Sequence, residues 1–563
     1  LLLIALACST EPATLGGYGS AEQGTAGSEA NSEGSSSATA ATGPTTTEGS
    51  AAGTNATSTT DEDGETSTPK FDIESSESGA APSCTVVDDL DAVPDCTKKA
   101  PPNSFDPEFQ WSWTDGSVVQ VPLVANLTDD NDDGNIDLCD VPDVVVVRDV
   151  GSGSAPTPTT VSEGEIVVLD GATGVEHYRI PTTVDATMAP AIGDIDDDGI
   201  PEIVALKGDK SYTTPTPLIA FEHDGTTKWT SSHTINYGFG IALADVDNDG
   251  DVEIITNSTV TDHTGALAWR ASVLPCNPLF LAEDCATATT AADLDGDQDL
   301  EIIAGNAAYH HDGTVYFQNG SIARQGGIGV FPHVADLDSD PEPEVLLVAV
   351  FGDIAILEHD GTTKVHMPAP IFPAVVYSTV TIHDFDGDGA AEFGVGVSDR
   401  YEVYQHDGSL AWSQAVTWSA NEQSSSPGST AFDFLGGGTA QAVYNDQLEL
   451  FVYDGSSGDV LLQVDNATNT WYGFPIVADV DNDGSAEILV TSSSMDNAGV
   501  HAIRDREDRW IQARRIWNQH TYHVTNVRED GTIPEFEAPH WRTFNTFRTN
   551  AQIEGGLCKP PVG

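Results

Sequence analysis

The sequence predicts an all-β chain folded as a β-propeller of eight four-stranded blades, preceded by a disordered tether. Three observations predict it. An acidic turn motif recurs at intervals of about 48 residues, a second Gly-containing turn alternates with it, and short β-rich runs separate the turns. Each turn of either kind would close a hairpin, so one period carries four short antiparallel strands. Such a unit cannot bury both of its faces alone, but neighbours stacked in a ring can, which is how a propeller blade works. Seven blades is the second reading, because the first repeat is longer and the seventh acidic turn is degraded.

Taken in order, the chain opens on Leu1-Leu2-Leu3-Ile4-Ala5-Leu6-Ala7-Cys8. Seven apolar residues are too few to span a bilayer, and they read as the end of a secretory signal. Ala5-Leu6-Ala7-Cys8 resembles the lipobox of bacterial lipoproteins, which implies lipidation of Cys8. Residues 9–83 are Gly, Ser, Thr, Ala and Glu with scarcely a large apolar side chain. They cannot bury enough surface to offset their ordering entropy, and are expected to be disordered. A flexible coil of ~70 residues spans roughly 45 Å, which suits a stalk between a lipid anchor and a folded domain.

Residues 84–513 hold the repeats. The second turns are Asp170-Gly171, Asp224-Gly225, Thr264-Gly265, Asp312-Gly313, Asp360-Gly361, Asp407-Gly408 and Asp454-Gly455, several followed by a Trp (Trp229, Trp269, Trp412). Val500 to Trp510 is expected to form the eighth. The acidic turns read D-x-[DN]-x-D-[GP]-x-x-[DE]. The intact copies place Asp194, Asp196, Asp198 and Glu202; Asp245, Asp247, Asp249 and Glu253; and Asp293, Asp295, Asp297 and Glu301. They continue with Asp336, Asp338, Asp340 and Glu344; Asp384, Asp386, Asp388 and Glu392; and Asp479, Asp481, Asp483 and Glu487. A variant first copy uses Asp129, Asn131, Asp133 and Asp137. The turn at Asp433 keeps only its first acid and is expected to hold no metal.

This spacing suits Ca²⁺ at about seven sites. Oxygen-only ligands select a hard cation that accepts six to eight of them in flexible geometry. Positions one, three and five converge inside a tight turn, Gly at position six permits the bend, and the acid at position nine opens the next strand. Left without a cation, each turn crowds three or four carboxylates together. The loops resemble FG-GAP/VCBS repeats, the calcium-binding propeller repeats also found in integrin α subunits. The resemblance covers roughly residues 105–515, and implies calcium in blade hairpins and a role in adhesion or ligand binding.

The composition narrows the partners. Against 89 Asp+Glu stand only 21 Lys+Arg, a formal charge of −68, so the basic footprint of a nucleic-acid binder is missing. Membrane contact is expected only through the lipid. With Cys8 set aside, six cysteines remain, an even number that fits an oxidising compartment. Six allow fifteen connectivities; proximity suggests Cys84–Cys96 and Cys276–Cys285, leaving Cys139–Cys558. No pair has C-x-x-C spacing.

Residues 514–563 depart from the repeats and are expected to close the ring, burying their aromatics. The same segment concentrates Trp517, His520, His523, Trp541 and Arg548, which would also suit a sugar or peptide ligand. No signature of a nucleotide enzyme, protease or hydrolase occurs. The functional expectation is a calcium-stabilised lipoprotein of the bacterial envelope, facing the periplasm or the exterior, that binds an extracellular protein or polysaccharide and is not an enzyme. The alternative is a calcium-dependent polysaccharide lyase with His520, His523 or Arg548 as base.

Overall fold

The computed structural model describes residues 99–553 apart from 102–103, 151–162, 209–214, 236–237, 272–286, 321, 323–329, 350–352, 369–376, 419–426, 469–472 and 494–496. Cys8, the expected tether, Cys84, Cys96, Cys276, Cys285 and Cys558 lie outside the described residues. Cys139 is disulfide-bonded, but every cysteine it could join lies there too, so the three expected pairings are not addressed.

Eight antiparallel sheets of four strands each make the ring of a β-propeller. The first strands are Leu123–Ala125, Ala191–Gly193, Ala242–Ala244, Thr289–Ala292, Val330–Ala335, Thr381–His383, Ser429–Phe432 and Ile476–Ala478. First strands of successive blades pack against one another through most of the ring, so they line the axis. The second strands of blades 2 to 8 are buried from end to end, as in Glu344–Ala349 and Glu392–Val397, and that of blade 1, Asp143–Asp149, is half-buried only at its last two residues. Being covered on both faces, they read as unbroken Val/Ile/Leu/Phe runs rather than as alternation. The fourth strands alternate exposed and half-buried residues, as in Leu410–Ala415 and Val460–Asp465, because each forms an outer edge.

Adjacent blades are joined by the Trp that follows the second turn. Trp229 Nε1 donates to His263 O at 2.9 Å, Trp269 to His311 O at 2.6 Å and Trp412 to Gly455 O at 2.6 Å, each reaching the turn of the next blade. The turn Gly must lack a side chain: a Cβ on Gly265, at φ +82°, would lie 2.6 Å from the Trp229 ring.

Blade 8 departs from the sequence expectation. Val500 to Trp510 does not form a second hairpin. Gly499–Asp505 is the third strand, and the fourth is Pro107–Trp113 from the other end of the repeat array, paired antiparallel from Pro107↔Asp505 to Trp113↔Val500. A ring sealed this way joins its two ends through a hydrogen-bonded ladder. Trp111 supplies the missing Trp and donates to Gly171 O of blade 1 at 2.7 Å.

The C-terminal segment fills the axis. Trp517 exchanges backbone hydrogen bonds with Val124 of blade 1, and Asn518 O accepts from Ile192 N of blade 2. Gln519 Oε1 accepts from Leu243 N of blade 3, and Thr521 Oγ1 donates to Thr289 O of blade 4. His540 Nε2 donates to Val334 O of blade 5, and Phe547 exchanges backbone bonds with Ile382 of blade 6. Arg548 O accepts from Thr430 Oγ1 of blade 7, and Asn550 Nδ2 donates to Val477 O of blade 8. One segment thus visits the innermost strand of every blade in order. It holds the only helices among the described residues, a 3₁₀ turn Val524–Asn526 and a short α-helix His540–Thr543.

Candidate metal centres

The acidic turns join first and second strands, so they share one rim of the ring with the turns between third and fourth strands. Two carboxylates template each turn. In blades 2, 3 and 6 the first accepts the N–H groups of positions five and six: Asp194 takes Asp198 N at 3.2 Å and Gly199 N at 2.9 Å, Asp245 takes Asp249 N at 3.2 Å and Gly250 N at 2.8 Å, and Asp384 takes Asp388 N at 3.1 Å and Gly389 N at 2.9 Å. The ninth uses Oε2 to accept the N–H of position two: Glu202 from Ile195, Glu253 from Val246, Glu301 from Leu294, Glu344 from Leu337, Glu392 from Phe385 and Glu487 from Val480, at 2.6–3.0 Å. Gly199 and Gly250 sit at φ +89° and +88° with open space where a Cβ would go, so the backbone conformation rather than crowding requires glycine.

With Oε2 committed, Oε1 of the ninth residue takes a side-chain partner in blades 2, 4 and 5 and has none in blades 6 and 8. Oε1 of Glu392, Oε1 of Glu487 and Oδ1 of Asp479 are buried without a hydrogen-bond partner. Burial pushes the carboxyl of Glu253 up to about 8, and those of Glu392 and Asp479 up to about 7. Glu487 is raised well above the ordinary range, by burial first and then by Asp479 and Asp481. One carboxylate oxygen each from Asp245, Asp247 and Glu253 lies within 4.8 Å of the others, as do those of Asp194, Asp196 and Glu202. Unpartnered buried oxygens in an all-carboxylate set fit a hard divalent cation.

The turns differ in what faces them from the hairpin of the third and fourth strands. In blade 2, Lys228 Nζ lies 2.5 Å from Asp196, 3.1 Å from Glu202 and 3.2 Å from Glu222. In blade 5, Lys364 Nζ meets Asp338, and lies 2.8 Å from Glu344. In blade 4, His310 Nδ1 is 2.9 Å from Glu301. The residue preceding the equivalent Trp is Ala268 in blade 3 and Ala411 in blade 6, which bring no charge.

Blade 1 corrects the sequence reading. The counterpart of the ninth-position acid is Asp143, whose Oδ2 accepts Leu127 N at 2.8 Å. Asp129 lies in an insertion, where it accepts Asp133 N at 3.0 Å and Gly134 N at 2.9 Å. The insertion is closed by Asp140 rather than Asp137. Asp140 takes the N–H groups of Asp130, Asn131 and Asp137 at 2.9–3.2 Å, whereas Asp137 Oδ1 binds only the nearby Cys139 N. The nine-residue pattern passes over Asp140 and Asp143. The signal for Asp140 was its place twelve residues into the turn. That for Asp143 was its place before Val144–Val147, as Glu opens the second strand of every other blade except blade 7, which has Gln441.

Blade 7 has the same turn without the charges. Asp433 accepts Gly437 N at 3.0 Å and Gly438 N at 2.7 Å, and Gln441 Oε1 accepts Phe434 N at 3.0 Å. Leu435, Gly437 and Gln441 stand where other turns carry acids, so two neutral-compatible acceptors suffice to shape the backbone.

The residues singled out as ligand contacts are interior. Trp517, His520, His523 and Arg548 are at most 1% exposed and Trp541 is 5% exposed. Trp517 stacks on Tyr522 at 4.5 Å, Arg548 donates to His520 Nδ1 at 3.0 Å, and its guanidinium lies over Phe474.

No family model matches the chain, and no curated protein matches it. Among solved structures, the V. cholerae biofilm matrix protein Bap1 superposes with a TM-score of 0.64 at 21% identity, over 80% of this chain and 100% of that one. The likeness is one of fold. The rhamnogalacturonan lyase YesW matches with a TM-score of 0.49 at 16% identity, over 83% of both chains. A rhamnogalacturonan lyase of Bacillus licheniformis gives 0.46 at 16% identity, over 82% of this chain and 80% of that one.

Proposed function

We propose that this chain is a calcium-stabilised binding module of the bacterial envelope, held through lipidated Cys8 and presented to an extracellular protein or polysaccharide, with no catalytic role. The observation that carries the reading is the rim itself. Six regular acidic turns and the blade 1 insertion project from one end of the ring, and three of their carboxylate oxygens are buried with no protein donor. Cations there would fix the hairpins and reduce the repulsion of a chain at −68. The axis is filled by residues 517–550, which supports recognition on outer surfaces rather than chemistry in a channel. The bases that a lyase would draw from this segment, His520, His523 and Arg548, are buried, and a base must touch its polymer. The solved neighbour named as a biofilm matrix protein is compatible with this reading.

The test is retention on immobilised polysaccharides and cell-surface extracts, with calcium or chelator, reading polymer length in the same run. Calcium-dependent retention with unchanged length is expected. Shortened chains bearing unsaturated ends would replace this reading with a lyase.

A further inference from the structure

A second kind of metal chemistry is built into the axial plug, away from the acidic rim. His523 immediately precedes the 3₁₀ turn Val524–Asn526, and His540 opens the short helix His540–Thr543; Glu537 lies on the loop between them. His523 and His540 are 1% and 0% exposed, and the Glu537 side chain 7%. One ring nitrogen from each histidine and one carboxylate oxygen of Glu537 lie within 4.8 Å of one another.

The outer hydrogen bonds decide what the inner atoms are. His523 Nδ1 donates to Thr521 O at 3.1 Å, and His540 Nε2 donates to Val334 O at 2.9 Å. His540 therefore keeps a lone pair on Nδ1, and His523 turns Nε2 toward Glu537. His523 Nε2 and Glu537 Oε1 lie 2.6 Å apart, a hydrogen-bonded contact whose proton an incoming metal ion would displace. His540 Nδ1 is buried with no hydrogen-bond partner. Thr525 Oγ1 donates to the same Glu537 oxygen at 3.1 Å. Histidines anchored through one nitrogen to a carbonyl, with a hydrogen-bonded carboxylate beside them, form the outer arrangement that orients transition-metal ligands.

We propose that His523, Glu537 and His540 bind a transition-metal ion of the Zn²⁺ type, stapling the two halves of the plug. Two imidazoles and one carboxylate suit Zn²⁺ rather than Ca²⁺, which takes oxygen ligands. On binding, the His523–Glu537 separation should open from 2.6 Å to about 3.3 Å, the spacing of tetrahedral ligands at ~2.0 Å. Three protein ligands leave one position for water. The exposed Glu535–Phe536 stretch beside Glu537 gives an entry path.

The test strips the full chain with a chelator selective for transition metals while calcium is kept saturating, then titrates Co²⁺ followed by Zn²⁺. One equivalent of Co²⁺ with the visible absorption of a tetrahedral ion, displaced by Zn²⁺, is expected. Glu537→Gln and His540→Ala should abolish it. Thr525→Val, which leaves all three ligands in place and preserves the fold, should keep the stoichiometry but weaken affinity by about 10–100-fold. A wild-type chain that takes up no Co²⁺ would show that the proton between His523 and Glu537 is not displaced and overturn the proposal. Uptake unchanged in Thr525→Val and Glu537→Gln would overturn it too, by placing the ion elsewhere.

Discussion

Glu487 Oε2 accepts the backbone N–H of Val480 at 2.9 Å, while its Oε1, equally buried, meets no donor. One oxygen shapes the turn, and under the proposed function the other is a cation ligand. The two roles are separable by substitution.

Glu487→Gln should keep the first role and lose the second, because Gln441 already makes the equivalent bond to Phe434 N in blade 7. The expected outcome is one fewer bound Ca²⁺ by equilibrium dialysis. The melting midpoint in chelator should be no lower than wild type, since a buried charge has been removed. A midpoint in chelator well below wild type would contradict the assignment.

Lys228 and Lys364 should compete with calcium for the turns of blades 2 and 5. Replacing either with Ala removes an ammonium lying 2.8–3.1 Å from the ninth-position glutamate. Calcium affinity at that turn is expected to rise at least about tenfold. Calorimetric titration would resolve the change as a weak site joining the tight class, and an unchanged isotherm would refute the competition.

Without calcium, stability should fall as pH rises from 7 to 8. The folded pKa of Glu253 is raised to about 8 and that of Glu392 to about 7. Over this window the folded state holds protons that the unfolded chain, with carboxyls near 4.5, has already released. The contribution is therefore present at lower pH and lost as pH passes through the folded values. The buried His333, His520 and His540, whose pKa values burial depresses well below the ordinary value, oppose this slope near pH 6.5, where unfolded histidines are still partly protonated, so the fall is read from pH 7 to 8. Saturating calcium should flatten the slope by displacing those protons. Urea midpoints at the two pH values, with chelator and with calcium, measure it, and a midpoint rising with pH in chelator would be decisive against it.

Trp517→Ala should cost about 3–5 kcal/mol. The indole is fully buried, stacks on Tyr522, and its backbone pairs with Val124 of blade 1. Denaturant unfolding would show the loss as a lower midpoint, and a shift within error would mean that the plug adds little to the ring.

Much of this fold is written locally. A D-x-D-x-D turn is shaped mainly by its own carboxylates, so the six regular turns were legible by spacing alone, although position six is Gln298 in blade 4 and Pro341 in blade 5. The four-strand period followed from the alternation of two turn types, and eight blades followed from counting them. The Trp after the second turn was visible as a pattern, but not its partner, because the carbonyl it reaches belongs to the next blade.

Contacts distant along the chain were decided only by the tertiary structure. Trp111 completes blade 8 from across the whole repeat array, and nothing near Val500–Trp510 indicates that its outer strand lies elsewhere. The first turn was misread because an insertion with its own acid, Asp140, hides the true counterpart, Asp143. In sequence His523 reads as a ligand contact or a ring-closing residue, and Glu537 and His540 carry no signal of their own. They become a buried cluster because the segment threads an axis lined by eight inner strands, and a closed ring leaves its backbone bonds no other partners. The sequence by itself determined the repeat and the carboxylate spacing of its turns, since both depend on residues within one turn. The seal, the plug and the histidine–glutamate cluster depend on which distant strands the closing ring brings together, and that is set by the geometry of closure.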